Sequence, residues 1–232
     1  MGQHTVEKIG GTSMSDYHSV RDNIIFKPVQ VHSLYQRIFV VSAYAGMTDM
    51  LLEHKKTSSA GVYALFAFDR TQNNWFPALQ NVRTAMLEIN ASLFEVGELR
   101  EKADAFLDGR LLEAQECLED LYRLCQHGHF SISKHLETVR EMLASIGEAH
   151  SAWNTAHLLK RDGVNAVFVD LEESAVLANR AKGLTGPGWW LYHTSNGRHF
   201  AECLVPMKVS ASDAGDLGVT GLGDDAIVVD PT

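Results

Sequence analysis

A lysine two residues ahead of a glycine pair, followed by two hydroxyl residues, is the part of this sequence best suited to handle phosphate. The segment is Lys8-Ile9-Gly10-Gly11-Thr12-Ser13. Thr5 to Ile9 reads as a short strand, and Tyr17, Val20 and Ile24 beyond the turn fall on one face of a helix. A strand, a glycine turn and a helix start together present free backbone N–H groups and the positive end of a helix dipole. The glycines let the backbone come close to an anion, and Lys8 adds a mobile positive charge. The chemistry this implies is phosphoryl transfer. The pattern is neither the Walker A sequence nor G-x-G-x-x-G, and a glycine pair between strand and helix is structural more often than functional. Ser13 has the same two readings, a donor to phosphate or a helix N-cap.

These residues need a scaffold, and strand and helix patterns alternate along the chain. Arg37 to Tyr44 is a continuous apolar run rich in Ile, Phe and Val, as in a buried parallel strand. Gly46 ends it, and Thr48 or Asp49 is placed to cap a helix starting near Met50. Lys56 to Ala60 and Asp69 to Asn74 are polar and turn-rich and are read as exposed loops, with Trp75-Phe76 beside them as a packing anchor. From about Gln72 to Lys160 the pattern is helical. Leu107, Leu111, Ala114, Leu118, Leu121 and Cys125 form one amphipathic stripe; Ile132, Leu136, Val139, Leu143 and Ile146 form another. Val164 to Leu171 reads as a further strand after the Asp162-Gly163 turn, with Asp170 at its end, in a site-edge or a turn role. Strands joined by helices predict an α/β fold with a mainly parallel sheet and helices on both faces.

Composition narrows the function classes. The 232 residues, 45% of them hydrophobic, suffice for a sizeable core. A formal charge of −9 argues against a general nucleic-acid binder. Cys117, Cys125 and Cys203 have neither pairing nor metal-ligand spacing and read as reduced thiols. With no secretory leader pattern and no run of eighteen apolar residues, a cytoplasmic protein without membrane contact is predicted. His127 and His129 lack the companions of a metal site, His150 is read as capping or packing, and Glu113, Glu116, Glu119 and Asp120 form a solvated helix face.

Three segments carry a family resemblance. Val6-Glu7-Lys8-Ile9-Gly10-Gly11-Thr12-Ser13 resembles the N-terminal signature of aspartate kinases, which usually has Phe in place of Ile9. Phe39 to Asp49 resembles the strand-to-loop segment that follows in that family, and Gly147-Glu148-Ala149-His150-Ser151-Ala152 its Gly-Glu helix motif. The stretch through Leu51 to Thr57 is similar to aspartokinases associated with ectoine synthesis. The resemblance covers roughly residues 4 to 171. It implies the three-layer amino acid kinase sandwich, with ATP and Mg²⁺ as cofactors, L-aspartate as substrate, 4-aspartyl phosphate as product and a homodimer. In that reading Lys8 stabilises the transferring phosphoryl group, and Gly10, Gly11, Thr12 and Ser13 hold the phosphates. Ser42 and Thr48 line the amino-acid pocket, and Glu148 binds the substrate ammonium. Gly147 beside Glu148 is a physical hint, because a mid-helix glycine costs about 1 kcal/mol unless something must approach closely.

The resemblance stops near residue 180. Residues 1–180 are read as the N-terminal part of the catalytic domain. Residues 181–232 are read as an atypical glycine-rich tail with no ACT domain, leaving the fold incomplete at its C-terminal end. The family's second glycine-rich segment, with an Arg and a Ser-Asp pair, is not matched by Gly218 to Asp225. In the tail only Ala226 to Val229 looks like a strand. Asp213, Asp216, Asp224 and Asp225 are placed either near Mg²⁺ or simply in water. Two functions follow: an aspartate kinase, or a non-catalytic remnant that keeps the aspartate and phosphate pocket.

Overall fold

The computed structural model describes residues 5–26, 34, 37–54, 56–68, 71–127, 131–170 and 227–231. Cys203, His129, Leu171 and the aspartates of 213–225 lie outside these residues.

Among the described residues four parallel strands form the sheet: β1 (Thr5–Ile9), β2 (Arg37–Val41), β3 (Ala166–Phe168) and β4 (Ile227–Pro231), in the order β1-β2-β4-β3. β1 and β2 run in register from Thr5↔Arg37 to Ile9↔Val41, while β4 lies between β2 and β3. The strand legible at the end of the glycine-rich tail is therefore an interior strand of the sheet. Because every pairing is parallel, all four carboxyl ends lie along one edge.

Phe39 and Val41 are fully buried, as the apolar run through β2 predicts. That run reached Tyr44, but the strand stops at Val41, since Ser42 to Tyr44 leave the ladder to reach the turn at Gly46. Gly46, at φ 85°, has the left-handed conformation that glycine adopts without strain. It is the N-cap of α3 (Met47–Leu51). The helix thus begins three residues earlier than the start near Met50 read from the sequence, and Thr48 and Asp49 lie inside its first turn, where neither can be the cap.

Behind the glycine pair come α1 (Gly11–Met14) and α2 (Tyr17–Val20), the latter continued by a π turn at Arg21–Ile25. Asp16 caps α2 by accepting from the Ser19 N–H at 3.0 Å. Gly10 occupies the N-cap of α1, so Ser13 is not a cap, contrary to that sequence-based alternative. Arg37 ties this segment to the sheet. Its guanidinium donates to both Glu7 carboxylate oxygens at 2.7 Å and to the Ile24 and Ile25 carbonyls at 3.0 and 2.8 Å, satisfying acceptors that the turn leaves open.

The helical layer is α4 (Val62–Phe68), α5 (Gln72–Leu93), α6 (Glu98–Cys125) and α7 (Leu136–Arg161), with a 3₁₀ turn at Ile132–Lys134. The α6 stripe is buried at Leu107, Leu111, Ala114 and Leu118, and at Val139, Leu143 and Ile146 the α7 stripe is too. Trp75 is fully buried, as its anchoring role predicts, but it lies on α5, which takes in Asn73 and Asn74 from the expected loop. Lys56 to Ala60 are exposed. α7 packs against β2, β3 and β4 and against α3, α4 and α6. From Ile146 to Leu159 it is buried around nearly its whole circumference. It ends at Gly163, φ 86°, where the Val164 N–H reaches back to the Leu159 carbonyl at 2.9 Å and the chain turns into β3. Asp162 at this end accepts from the Tyr17 hydroxyl (2.8 Å) and Arg21 (2.9 Å), tying α7 to α2. Burial pushes the Asp162 carboxyl up, but the bonds from Arg21, Tyr17 and Arg161 outweigh it and hold it below its ordinary value.

Candidate functional site at the carboxyl edge of the sheet

Open parallel sheets bind ligands beyond the carboxyl ends of their strands. Here that edge gathers three of the segments read from the sequence. The Ser42 N–H donates to the Ile9 carbonyl at 3.0 Å, extending the β1–β2 ladder by one rung and setting Ser42 beside the Gly10 turn. Gly11 packs directly on this loop: a Cβ there would stand 2.5 Å from the Ala43 carbonyl oxygen. The Ser15 hydroxyl bridges the same two segments, donating to the Gly11 carbonyl and accepting from the Ala45 N–H.

The two glycines differ in cause. Gly11 is required by the chain's own packing. Gly10 has φ −76° and ψ 155°, open to any residue, and a Cβ there would meet nothing within 4 Å. Among the described residues nothing packs onto the face of Gly10. Lys8, one residue before the end of β1, is exposed and pairs in register with Val40. Thr12 and Ser13 are exposed on α1.

Gly147 brings the third segment in. A Cβ on it would lie 2.9 Å from the Ala43 Cβ and 3.3 Å from the Leu51 Cδ1. The missing side chain lets α7 lie against the 42–47 loop, which answers the close approach that this mid-helix glycine implied. The next residue, Glu148, is half-buried at the same end, as are Ser42 and Thr48. The Ser151 hydroxyl donates to the Ser42 carbonyl at 2.8 Å and fixes the contact. The structure thus brings Gly10, Gly11, Ser42, Thr48 and Glu148 together at one edge. Asp170 is engaged elsewhere, in a buried ion pair with Arg110 of α6.

Sequence reading missed the polar group behind this loop. Asn90 of α5 is fully buried; its amide donates to the Asp104 carboxylate at 2.9 Å, so its carbonyl oxygen points the other way. There it meets His150 Nε2 at 2.7 Å and accepts from the Asn154 amide at 2.8 Å. The tautomer with the proton on Nε2 donates to this oxygen, and the Asn154 amide lies 3.1 Å from the same nitrogen. Burial depresses the His150 pKa to about 4, the Asp104 charge opposing weakly, so the ring is neutral. Tyr44 stands edge-on to His150 at 5.4 Å. The one trace in the sequence was His150 inside the Gly-Glu segment; Asn90 and Tyr44, which meet it, lie 60 residues or more away.

Among the described residues no group of three or more His, Cys, Asp or Glu is placed to hold a metal ion, and no helix is long and apolar enough to cross a membrane. A groove of about 260 Å³ between α5 and α6, lined by Leu79, Arg83, Asp108, Leu111 and Leu112 among others, includes none of the candidate residues.

The fold is a parallel α/β sheet with the glycine turn and the 42–47 loop at its carboxyl edge, and known proteins share it. No family model matches the chain. Over 168 residues it is 54% identical to the aspartate kinase Ask_Ect of Stutzerimonas stutzeri (strain A1501); this stretch is 72% of the chain and 35% of that relative. The chain therefore spans about a third of the length of the curated relative it matches. Its fold is similar to that of E. coli aspartokinase III in complex with lysine and aspartate in the T-state, with TM-score 0.50, 18% identity, and coverage of 79% of this chain and 38% of that one. For the R-state of the same enzyme, with aspartate and ADP, the TM-score is 0.49 at 21% identity over 74% of this chain and 32% of that one. The resemblance to aspartate kinases read from three short motifs is borne out.

Proposed function

We propose that this chain carries the phosphate- and aspartate-holding part of an aspartate kinase site, which transfers the γ-phosphoryl group of ATP to the L-aspartate side-chain carboxylate. Residues 1–180, with β4 completing the sheet, form the catalytic-domain portion. The observation that carries the reading is the convergence of the Gly10 turn, Ser42, Thr48 and Glu148 at one sheet edge, in a chain 54% identical over 168 residues to an aspartate kinase.

In this reading the open space before Gly10 admits the phosphates, and Lys8 offsets charge on the transferring group. Transfer between phosphate and carboxylate is catalysed by positioning and electrostatics. The attacking carboxylate is already ionised at neutral pH, so no general base is needed. Glu148 pairs with the substrate ammonium through a charge-assisted hydrogen bond, and Ser42 and Thr48 contact the rest of the amino acid. The donor set fits a nucleotide phosphate through backbone and lysine. Mg²⁺, which would neutralise the phosphate oxygens, would be held through the nucleotide, since the described residues offer no ligand cluster of their own.

Trapping of aspartyl phosphate as its hydroxamate tests the reading. The expected result is ATP- and aspartate-dependent product that Lys8→Ala lowers by about 10²- to 10³-fold, the range for removing one charge-stabilising donor. Unchanged turnover in that variant removes Lys8 from the mechanism. Aspartate binding with no product at all would favour the remnant that keeps only the pocket.

A further inference from the structure

The buried polar residues among those described are Asn90 of α5 and His150, Ser151, Asn154 and Thr155 of α7. They are not spread through the core but gathered directly behind the Ser42–Thr48 loop. We propose that the Asn90–His150–Asn154 cluster is a positioning device that holds this loop in one geometry and thereby sets the affinity for the amino-acid substrate; the second half rests on the function proposed above.

Three observations carry it. First, the cluster is oriented from outside. Arg100 donates to Asp104 at 2.8 Å, Asp104 accepts from Asn90, and Asn90 presents its carbonyl to both α7 residues, so α5, α6 and α7 are fixed by one chain of bonds. Second, the chain ends on the loop: the Tyr44 ring meets His150 edge-on at 5.4 Å, and Ser151, one turn before Thr155, holds the Ser42 carbonyl. Third, the cluster is not arranged for stability alone. Among the described residues His150 Nδ1 and Asn154 Oδ1 are buried with no hydrogen-bond partner. Unpaired buried acceptors are costly, and apolar side chains of similar shape would avoid that cost. What directional polar groups supply and apolar ones do not is a single arrangement. A displaced Tyr44 would carry Ser42 and Thr48 with it, because Ser42 lies on the same short loop and Thr48 in the first turn of α3 directly after it. None of these three cluster residues reaches the substrate in this account, so they are positioning residues rather than catalytic ones.

The test compares His150→Leu with His150→Gln, whose side-chain amide still offers a donor to Asn90. Two readouts are taken on the intact chain: hydrogen exchange at the Ala45 and Met47 amides, and the calorimetric Kd for L-aspartate. His150→Leu is expected to speed exchange at both amides at least tenfold, leave the β2 amides unchanged and weaken aspartate at least tenfold, with His150→Gln within about threefold of wild type. Unchanged loop exchange in the folded Leu variant overturns the proposal. So does faster exchange with unchanged aspartate affinity. If His150→Leu does not fold, Asn154→Leu, which leaves the His150–Asn90 bond in place, is read in the same two assays with the same criteria. A wild-type chain that binds no aspartate would sink the functional reading, while the exchange data would still decide whether the cluster orders the loop.

Discussion

Two mid-helix glycines, Gly109 in α6 and Gly147 in α7, should respond in opposite directions to the same substitution. In a helix interior alanine is favoured over glycine by about 1 kcal/mol, through backbone entropy lost on folding. Gly109 is exposed and a Cβ there would meet nothing within 4 Å, so Gly109→Ala should deliver most of that gain. At Gly147 the same gain is opposed by contact. The new Cβ would lie 2.9 Å from the Ala43 Cβ, which is fixed to the loop backbone, and 3.3 Å from the Leu51 Cδ1, which can rotate away. Relief requires α7 and the loop to separate, and overpacking of this kind costs about 1–3 kcal/mol. The net expectation for Gly147→Ala is about 0–2 kcal/mol of destabilisation, placing the two variants about 1–3 kcal/mol apart. Urea denaturation measures this directly, with an unchanged m-value showing that the unfolded states compare. In a melting experiment the gap corresponds to a few degrees per kcal/mol for a chain of this size. Gly147→Ala as stabilising as Gly109→Ala would refute the claim that this glycine exists to admit the 42–47 loop.

Two further outcomes follow from the core. His150, with its pKa depressed to about 4 by burial, binds a proton less readily folded than unfolded. The unfolded chain therefore takes up more protons between about pH 6.5 and 4, and stability falls as pH drops through that window, by roughly 3 kcal/mol in all. Chemical denaturation of wild type and His150→Gln at a series of pH values checks this, and equal slopes for the two would contradict it. Arg110→Met removes one partner of the Asp170 carboxylate, whose side chain is 8% exposed, and should destabilise the chain by about 1 kcal/mol or more, whereas no loss in urea melts would show that the pair is immaterial.

What the sequence made legible was local. The apolar run of β2, the α6 stripe and the stop at Asp162-Gly163 follow from period and turn chemistry within a dozen residues, and each is present. Gly147 was legible too, as a residue whose propensity is wrong for its place. α4 left no mark, since Val62–Phe68 is a short, almost wholly apolar run with no period to read. The centre of α7 misled in another way: Gly147, Ala149, Ser151, Ala152, Thr155 and Ala156 are small and weakly hydrophobic, yet they are buried because small residues let a helix sit tightly among neighbours on every side. The position of β4 between β2 and β3, and the meeting of Asn90 with His150 and Asn154, depend on contacts across 60 residues or more, which no local pattern encodes. For the site, the motifs identified the right segments, but the separate causes of Gly10 and Gly11 emerged only from what surrounds each.

The central claim is that the carboxyl edge of this sheet holds an amino acid through Glu148. Titration of L-aspartate into the folded wild-type chain, beside Glu148→Gln, tests it most directly by calorimetry. The account predicts a saturable heat for wild type, at least tenfold weaker binding in Glu148→Gln, and no matching change in a separate Mg·ATP titration. No saturable heat from a folded wild-type chain, or equal affinity in the two proteins, would contradict it.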